Sequence, residues 1–227
     1  MRYKEVCPGI YMIGGGGISS SNDCCVYLLD GGGKYALLDC GTGSGSWRIM
    51  EHLQELVKSV DDVQYIIITH GHIDHIGGLP DMAAALPQAK IVAHSLELDA
   101  IERGNPVLTA AKWYGIKYTG VPVDIVIEKH NHALELGGMK INCLHTPGHT
   151  PGGISPYLDW QGKRILFGQD IHGPFNEQWG SDLEQWEESM NALLSLKADI
   201  LCEGHYGIIQ PKKAVKAFIE KFLDHFA

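Results

Sequence analysis

Strand and helix signals alternate along this 227-residue chain in two comparable passes. That repetition predicts an α/β fold, a four-layer αββα sandwich of two mixed β-sheets packed face to face with helices outside. Two observations carry the prediction: short apolar runs bounded by turn residues, and amphipathic stretches at helical spacing between them. In the first pass, Ile10 to Ile13, Cys24 to Leu29 and Tyr35 to Cys40 read as strands. Ser46 to Val60 reads as a helix, because Ile49, Leu53, Leu56 and Val57 fall on one face. Tyr65 to Ile68 returns to strand, Ile76 to Leu86 to helix and Lys90 to Ala93 to strand, and a further helix starts at Ser95.

The second pass has the same order. Ala133 to Leu136, Met139 to Leu144, Gly153 to Leu158 and Arg164 to Phe167 are strand-like, and Leu183 to Leu196 is helical. The strand Ile200 to Cys202 and the helix Lys212 to Phe226 complete it. Between the passes, Arg103 to Lys129 has weak periodicity and several glycines and prolines, and reads as a pocket wall or lid. A chain of this length hides roughly 70–75% of its unfolded surface, so residues 1–227 are expected to form one domain with a core of its own.

Composition excludes several classes. A formal charge of −9 disfavours a nucleic-acid partner, whose binding rests on clustered cations. No unbroken apolar stretch reaches the roughly 20 residues of a membrane span, and Met1-Arg2-Tyr3-Lys4-Glu5 has no apolar centre of the kind a signal peptide carries. A cytoplasmic protein is the expectation. Cys7, Cys24, Cys25, Cys40, Cys143 and Cys202 sit mostly inside strand-like runs and are expected as reduced thiols. Gly14-Gly15-Gly16-Gly17 lacks the Gly-Lys-Ser/Thr continuation of a phosphate loop and reads as a flexible hairpin.

The segment Thr69-His70-Gly71-His72-Ile73-Asp74-His75 follows the apolar run Tyr65-Ile66-Ile67-Ile68. Three imidazoles and a carboxylate so close together are costly as free buried groups, but they supply the nitrogen and oxygen ligands that zinc and similar metals prefer. The pattern resembles the His-x-His-x-Asp-His motif of the metallo-β-lactamase superfamily. That family's later ligands have counterparts in order: His149 within His145-Thr146-Pro147-Gly148-His149, Asp170 within Phe167-Gly168-Gln169-Asp170, and His205 within Glu203-Gly204-His205-Tyr206.

The resemblance implies an αββα fold and two divalent ions, zinc in the first place with iron or manganese as alternatives. By residue-wise likeness His70, His72 and His149 would hold one ion, Asp74, His75 and His205 the other, and Asp170 would bridge them. A bridging hydroxide would then attack an ester, thioester or lactone of a small molecule, with Asp74 also orienting the water. The resemblance selects His149 over His145, because a Pro-Gly turn precedes the family's ligand. His145 is then a residue that supports a ligand from behind or packs beside it, and His172 receives no role. His52, His94, His130, His132 and His225 read as ordinary surface or core histidines.

Substrate contacts are expected from Ile18, beside the glycine turn, and from Trp113, Phe175 and Tyr206. Tyr114 and Trp179 are further aromatics near the ligands or in the connecting segment. The chain is similar to thioesterases of the hydroxyacylglutathione type and to small lactonases. It departs from the former at Ile171-His172-Gly173-Pro174-Phe175, where a Gly-Cys-Gly run is usual. Two further readings stand beside hydrolysis. An iron-dependent persulfide dioxygenase uses the same fold, and a non-catalytic metal-binding protein needs the ligands but no substrate pocket.

Overall fold

The computed structural model describes residues 2–226. The chain divides into two compact units, Met1–Glu128 with Leu136–Gly138, and Lys129–Glu135 with Met139–Ala227. Each unit is built on one mixed sheet, and the two sheets correspond to the two passes read from the sequence.

The first unit contains β1 (Lys4–Cys7), β2 (Ile10–Met12), β3 (Tyr27–Asp30), β4 (Tyr35–Leu38), β5 (Val63–Ile67), β6 (Lys90–His94) and β7 (Ile125–Ile127), which lie side by side in chain order. Pairing is antiparallel from β1 to β4 and parallel from β4 to β7. Parallel neighbours need a crossover, and helices provide it. α1 (Ser46–Leu56) connects β4 to β5, while α2 (Ile73–Ile76) and α3 (Leu79–Ala85) connect β5 to β6. Ile49 and Leu53 of α1 and Leu79 and Met82 of α3 pack against Leu28, Leu37, Ile66, Ile91 and Ala93 of the sheet. Each such leucine, isoleucine or methionine side chain contributes roughly 1.5–3 kcal/mol on full burial. Leu29, Leu38, Ile67 and Val92, alternate in sequence with that set, are also fully buried. Burial of both faces explains why these strands read as continuous apolar runs.

Several boundaries differ from expectation. The first helix stops at Leu56 because Val57 turns to extended backbone. The helix expected from Ile76 starts at Ile73, inside the ligand motif, and Gly77-Gly78 divides it into α2 and α3. The helix expected from Ser95 is a 3₁₀ turn, Ser95–Glu97, running into α4 (Leu98–Ile101). Within the connecting segment lie a short helix, α5 (Ala111–Tyr114), and the edge strand β7. The tetraglycine is a tight turn in which the Gly15 carbonyl accepts from the Ile18 and Ser19 amides.

The second unit orders its sheet as β13 (Gly207–Ile209), β12 (Ile200–Glu203), β11 (Lys163–Gly168), β10 (Ile154–Trp160), β9 (Met139–His145) and β8 (Asn131–Leu136). β11 and β12 are parallel, and α6 (Leu183–Leu196) crosses between them. The Asp182 side chain caps α6 by accepting the Gln185 amide, and Lys197 ends it in left-handed backbone. Trp186, Met190 and Leu193 form the buried face of α6, and Val215, Ile219 and Phe222 that of α7 (Lys212–Phe226). Both faces pack with Leu144, Leu166 and Leu201 of the strands.

Candidate metal centre

In each unit, potential metal ligands leave the carboxyl ends of adjacent parallel strands, where connecting loops commonly carry function. Leu38 and Ile67 are the last paired residues of β4 and β5. Asp39 follows the first strand directly, and Thr69 and His70 lie just beyond the second. Gly168 of β11 pairs with Glu203 of β12, and Asp170 and His205 stand two residues past these ends.

In the first unit His70, His72, Asp74 and His75 are all buried. His70 Nε2 lies 3.1 Å from His72 Nδ1, and His75 Nε2 lies 3.7 Å from Asp74 Oδ2. Two ligands about 2.1 Å from one ion at a tetrahedral angle are about 3.4 Å apart. Both spacings therefore suit a shared cation. Asp39, fully buried, accepts the Thr69 amide at 2.8 Å, the Thr69 hydroxyl at 2.7 Å and His75 Nδ1–H at 2.9 Å. With its Nδ1 proton held there, His75 would present Nε2 to a metal. Thr69 Oγ1 also lies 3.3 Å from His70 Nδ1, so one carboxylate orients two imidazoles. Glu97 accepts the Gly71 amide at 2.8 Å and fixes the loop between them.

In the second unit Asp170 faces two histidines. Its Oδ2 is 3.5 Å from His149 Nε2, and its Oδ1 is 3.1 Å from His205 Nε2. Divergent oxygens, each near a different imidazole, suit a carboxylate shared between two ions. The Pro174 carbonyl accepts His149 Nδ1–H at 2.8 Å and leaves Nε2 for a metal. Gly148, with φ +138°, brings this turn so close to α6 that a Cβ would run into Trp186. Asp39 and Asp170 both hold left-handed backbone, at φ 58° and 55°. That costs on the order of 1 kcal/mol at each residue, a strain commonly found at functional sites.

The buried thiols near the ligands are held in their protonated form. Cys24 and Cys40 are raised well above the ordinary thiol range by burial, with His75 opposing the shift at both. No disulfide joins the cysteines among the described residues.

His145 Nε2 contacts the Pro151 carbonyl at 2.9 Å, and burial lowers its pKa, in keeping with a packing role. Ile18 is buried in the glycine turn. Phe175 stacks edge-on with Trp186 and Phe226, its ring centroid 6.3 Å from that of His149. Tyr206 is 54% exposed and packs on Phe218 and Phe222, while Trp113 on α5 is 65% exposed. Trp179 is buried beside His149. Sequence reasoning assigned no role to Asp39 or Glu203. The only local signal for either is an acidic residue at the end of an apolar strand.

The profile of the metallo-beta-lactamase superfamily matches residues 22–205, a span that contains all seven proposed ligands. The chain belongs to that superfamily. Among its superfamily relatives, the metallo-beta-lactamase fold-containing protein ST1585 of Sulfurisphaera tokodaii is 26% identical over 91% of this chain and 81% of its own length. The probable hydroxyacylglutathione hydrolase glo2 of Schizosaccharomyces pombe is 26% identical over 64% of this chain, which spans about half (48%) of that protein. A motif-mutant metallo-beta-lactamase of Cronobacter sakazakii superposes with a TM-score of 0.83 at 20% identity, covering 100% of this chain and 95% of its own. The expected metallo-β-lactamase fold is thus the observed one. Among the described residues, no helix is long and apolar enough to cross a membrane.

Proposed function

We propose that this chain is a single-domain hydrolase holding two divalent ions, zinc foremost and iron or manganese as alternatives. His70, His72 and His149 would bind one ion, Asp74, His75 and His205 the other, and Asp170 both. The observation that carries the reading is the spacing of ligand atoms within each unit, 3.1 Å for His70 with His72 and for Asp170 with His205. Superfamily membership across both ligand-bearing units supports joining the two sets into one centre.

Two bound divalent ions would supply Lewis acidity and lower the pKa of a bound water towards about 7. The chain's own residues do the rest. Asp39 and the Pro174 carbonyl keep His75 and His149 in the tautomer whose Nε2 is available. Asp74 serves as both ligand and hydrogen-bond acceptor for the attacking water, and Asp170 holds the two ligand limbs in register. The substrate is a small-molecule ester, thioester or lactone, met by Ile18, Trp113, Phe175 and Tyr206. A hydrolase name among the relatives supports this class.

The test is elemental analysis of the purified protein together with a panel of acyl esters, thioesters and lactones assayed in air and anaerobically. Glutathione persulfide is run beside them with an oxygen electrode. About two ions per chain and metal-dependent turnover indifferent to oxygen are expected. Oxygen uptake with persulfide by the iron-loaded protein, and hydrolysis by no metal form, would replace the hydrolase with a dioxygenase.

A further inference from the structure

Glu203 is fully buried at the end of β12, yet no step of the proposed chemistry uses it. Its Oε2 accepts the His205 amide at 2.7 Å and the Tyr206 amide at 2.9 Å. Its Oε1 accepts His172 Nδ1–H at 2.7 Å. A buried carboxylate needs such donors, and here all three come from one small region around Asp170 and His205. Carboxylate and imidazole atoms of Asp170, His172 and Glu203 lie within 4.8 Å of one another. Gly204, between Glu203 and His205, passes so close to Gln169 and Asp170 that a Cβ would collide with both side chains. The turn carrying His205 is therefore pressed against the Asp170 loop from one side and tied down by Glu203 from the other.

We propose that Glu203 is a positioning residue for metal binding at His205, acting through the backbone amides of the 204–206 turn. His205 is 34% exposed in its side chain, so packing alone holds it loosely. Its Nε2 stands 3.1 Å from Asp170 Oδ1 because its backbone is fixed. Glu203 also holds His172, whose ring centroid lies 5.4 Å from that of His205. The inference rests on the two-ion reading above, and groups that orient metal ligands without touching metal typically contribute 10–100-fold to metal affinity.

Metal-free wild type and the variants Glu203→Ala, Glu203→Asp, Glu203→Gln, His172→Ala and His205→Ala are titrated with zinc against a chromophoric chelator, with circular dichroism as the fold control. Amide exchange at His205 and Tyr206 is measured in the metal-free proteins that retain both residues. His205→Ala should abolish one of two binding steps. Glu203→Ala should weaken that same step 10–100-fold and spare the other. Glu203→Asp keeps the charge but withdraws the carboxylate by one methylene, and should weaken the step about tenfold with faster exchange at both amides. Glu203→Gln retains an acceptor oxygen for the two amides and should stay within about threefold of wild type, as should His172→Ala. If Glu203→Ala does not fold, the Asp and Gln variants decide. Wild-type zinc binding and amide exchange in folded Glu203→Asp would overturn the proposal, as would a Gln variant as defective as His205→Ala. Two undiminished steps in His205→Ala would overturn the two-ion reading as well, whereas loss of a step in His205→Ala alone would remove only the role of Glu203.

Discussion

Replacing Asp39 by Asn changes one atom of a buried carboxylate and reverses its hydrogen-bond logic. Oδ1 accepts the Thr69 amide, and Oδ2 accepts both the Thr69 hydroxyl and His75 Nδ1–H. Asn offers one carbonyl oxygen and one NH₂ group. Its oxygen can keep the Thr69 amide, which places NH₂ against two donors. The Thr69 hydroxyl can rotate to accept. His75, fully buried, relieves the clash only by moving its proton from Nδ1 to Nε2, the atom that faces Asp74 Oδ2 at 3.7 Å. Charge-assisted hydrogen bonds contribute about 1.5–3 kcal/mol each and neutral ones about half that, so weakening two of them destabilises the metal-free protein by about 2 kcal/mol. The ligand locked in the wrong tautomer weakens metal binding by about 10–100-fold, or about 1.4–2.7 kcal/mol. Urea unfolding of the metal-free protein measures the first effect and chelator competition the second, while ¹⁵N NMR of labelled histidine reads the tautomer. An Asn variant with unchanged tautomer and wild-type metal affinity would refute the role assigned to Asp39.

Three more outcomes are expected. Asp170→Ala should depress binding at both metal steps, where His205→Ala depresses one, as elemental analysis and titration will record. Gly148→Ala should cost at least about 3 kcal/mol in urea unfolding, because its Cβ would run into Trp186 in a backbone conformation that alanine avoids. Burial pushes the Cys143 thiol up to about 12 from a reference of 9.0. Its folded pKa lies above its unfolded one, so the native state keeps a proton that the unfolded chain loses. Stability is unaffected below about pH 9 and falls as pH rises towards 12, by on the order of 1.4 kcal/mol per pH unit for this thiol. Urea titrations at pH 8 to 11 should show a shallower decline in Cys143→Ala, and identical slopes would exclude the effect.

Legibility followed the range of the interactions. The α1 apolar face, the α6 and α7 cores and most strands were readable, because helical and strand periodicities are local properties of the backbone. The short pieces were not. β1, β7 and β13 are three or four residues long and are strands only because a neighbour pairs with them. α2 begins at Ile73, three residues before the expected helix start at Ile76.

The candidate site divides in the same way. The sequence by itself supplied the candidate donor set: His70, His72, Asp74 and His75 lie within one turn and its flanks, close enough for chain stereochemistry alone to gather them, and the resemblance to the superfamily pointed to His149, Asp170 and His205 in order. Only the tertiary structure decided how those donors are held. Asp39 reaches His75 across 36 positions of sequence, Glu203 reaches His172 across 31 and Pro174 reaches His149 across 25. Contacts at such separations leave no periodic trace in the chain. Two of them arise when parallel strands align their carboxyl ends and bring the buried carboxylates of Asp39 and Glu203 within hydrogen-bond reach of imidazoles, and the third comes from a loop carbonyl.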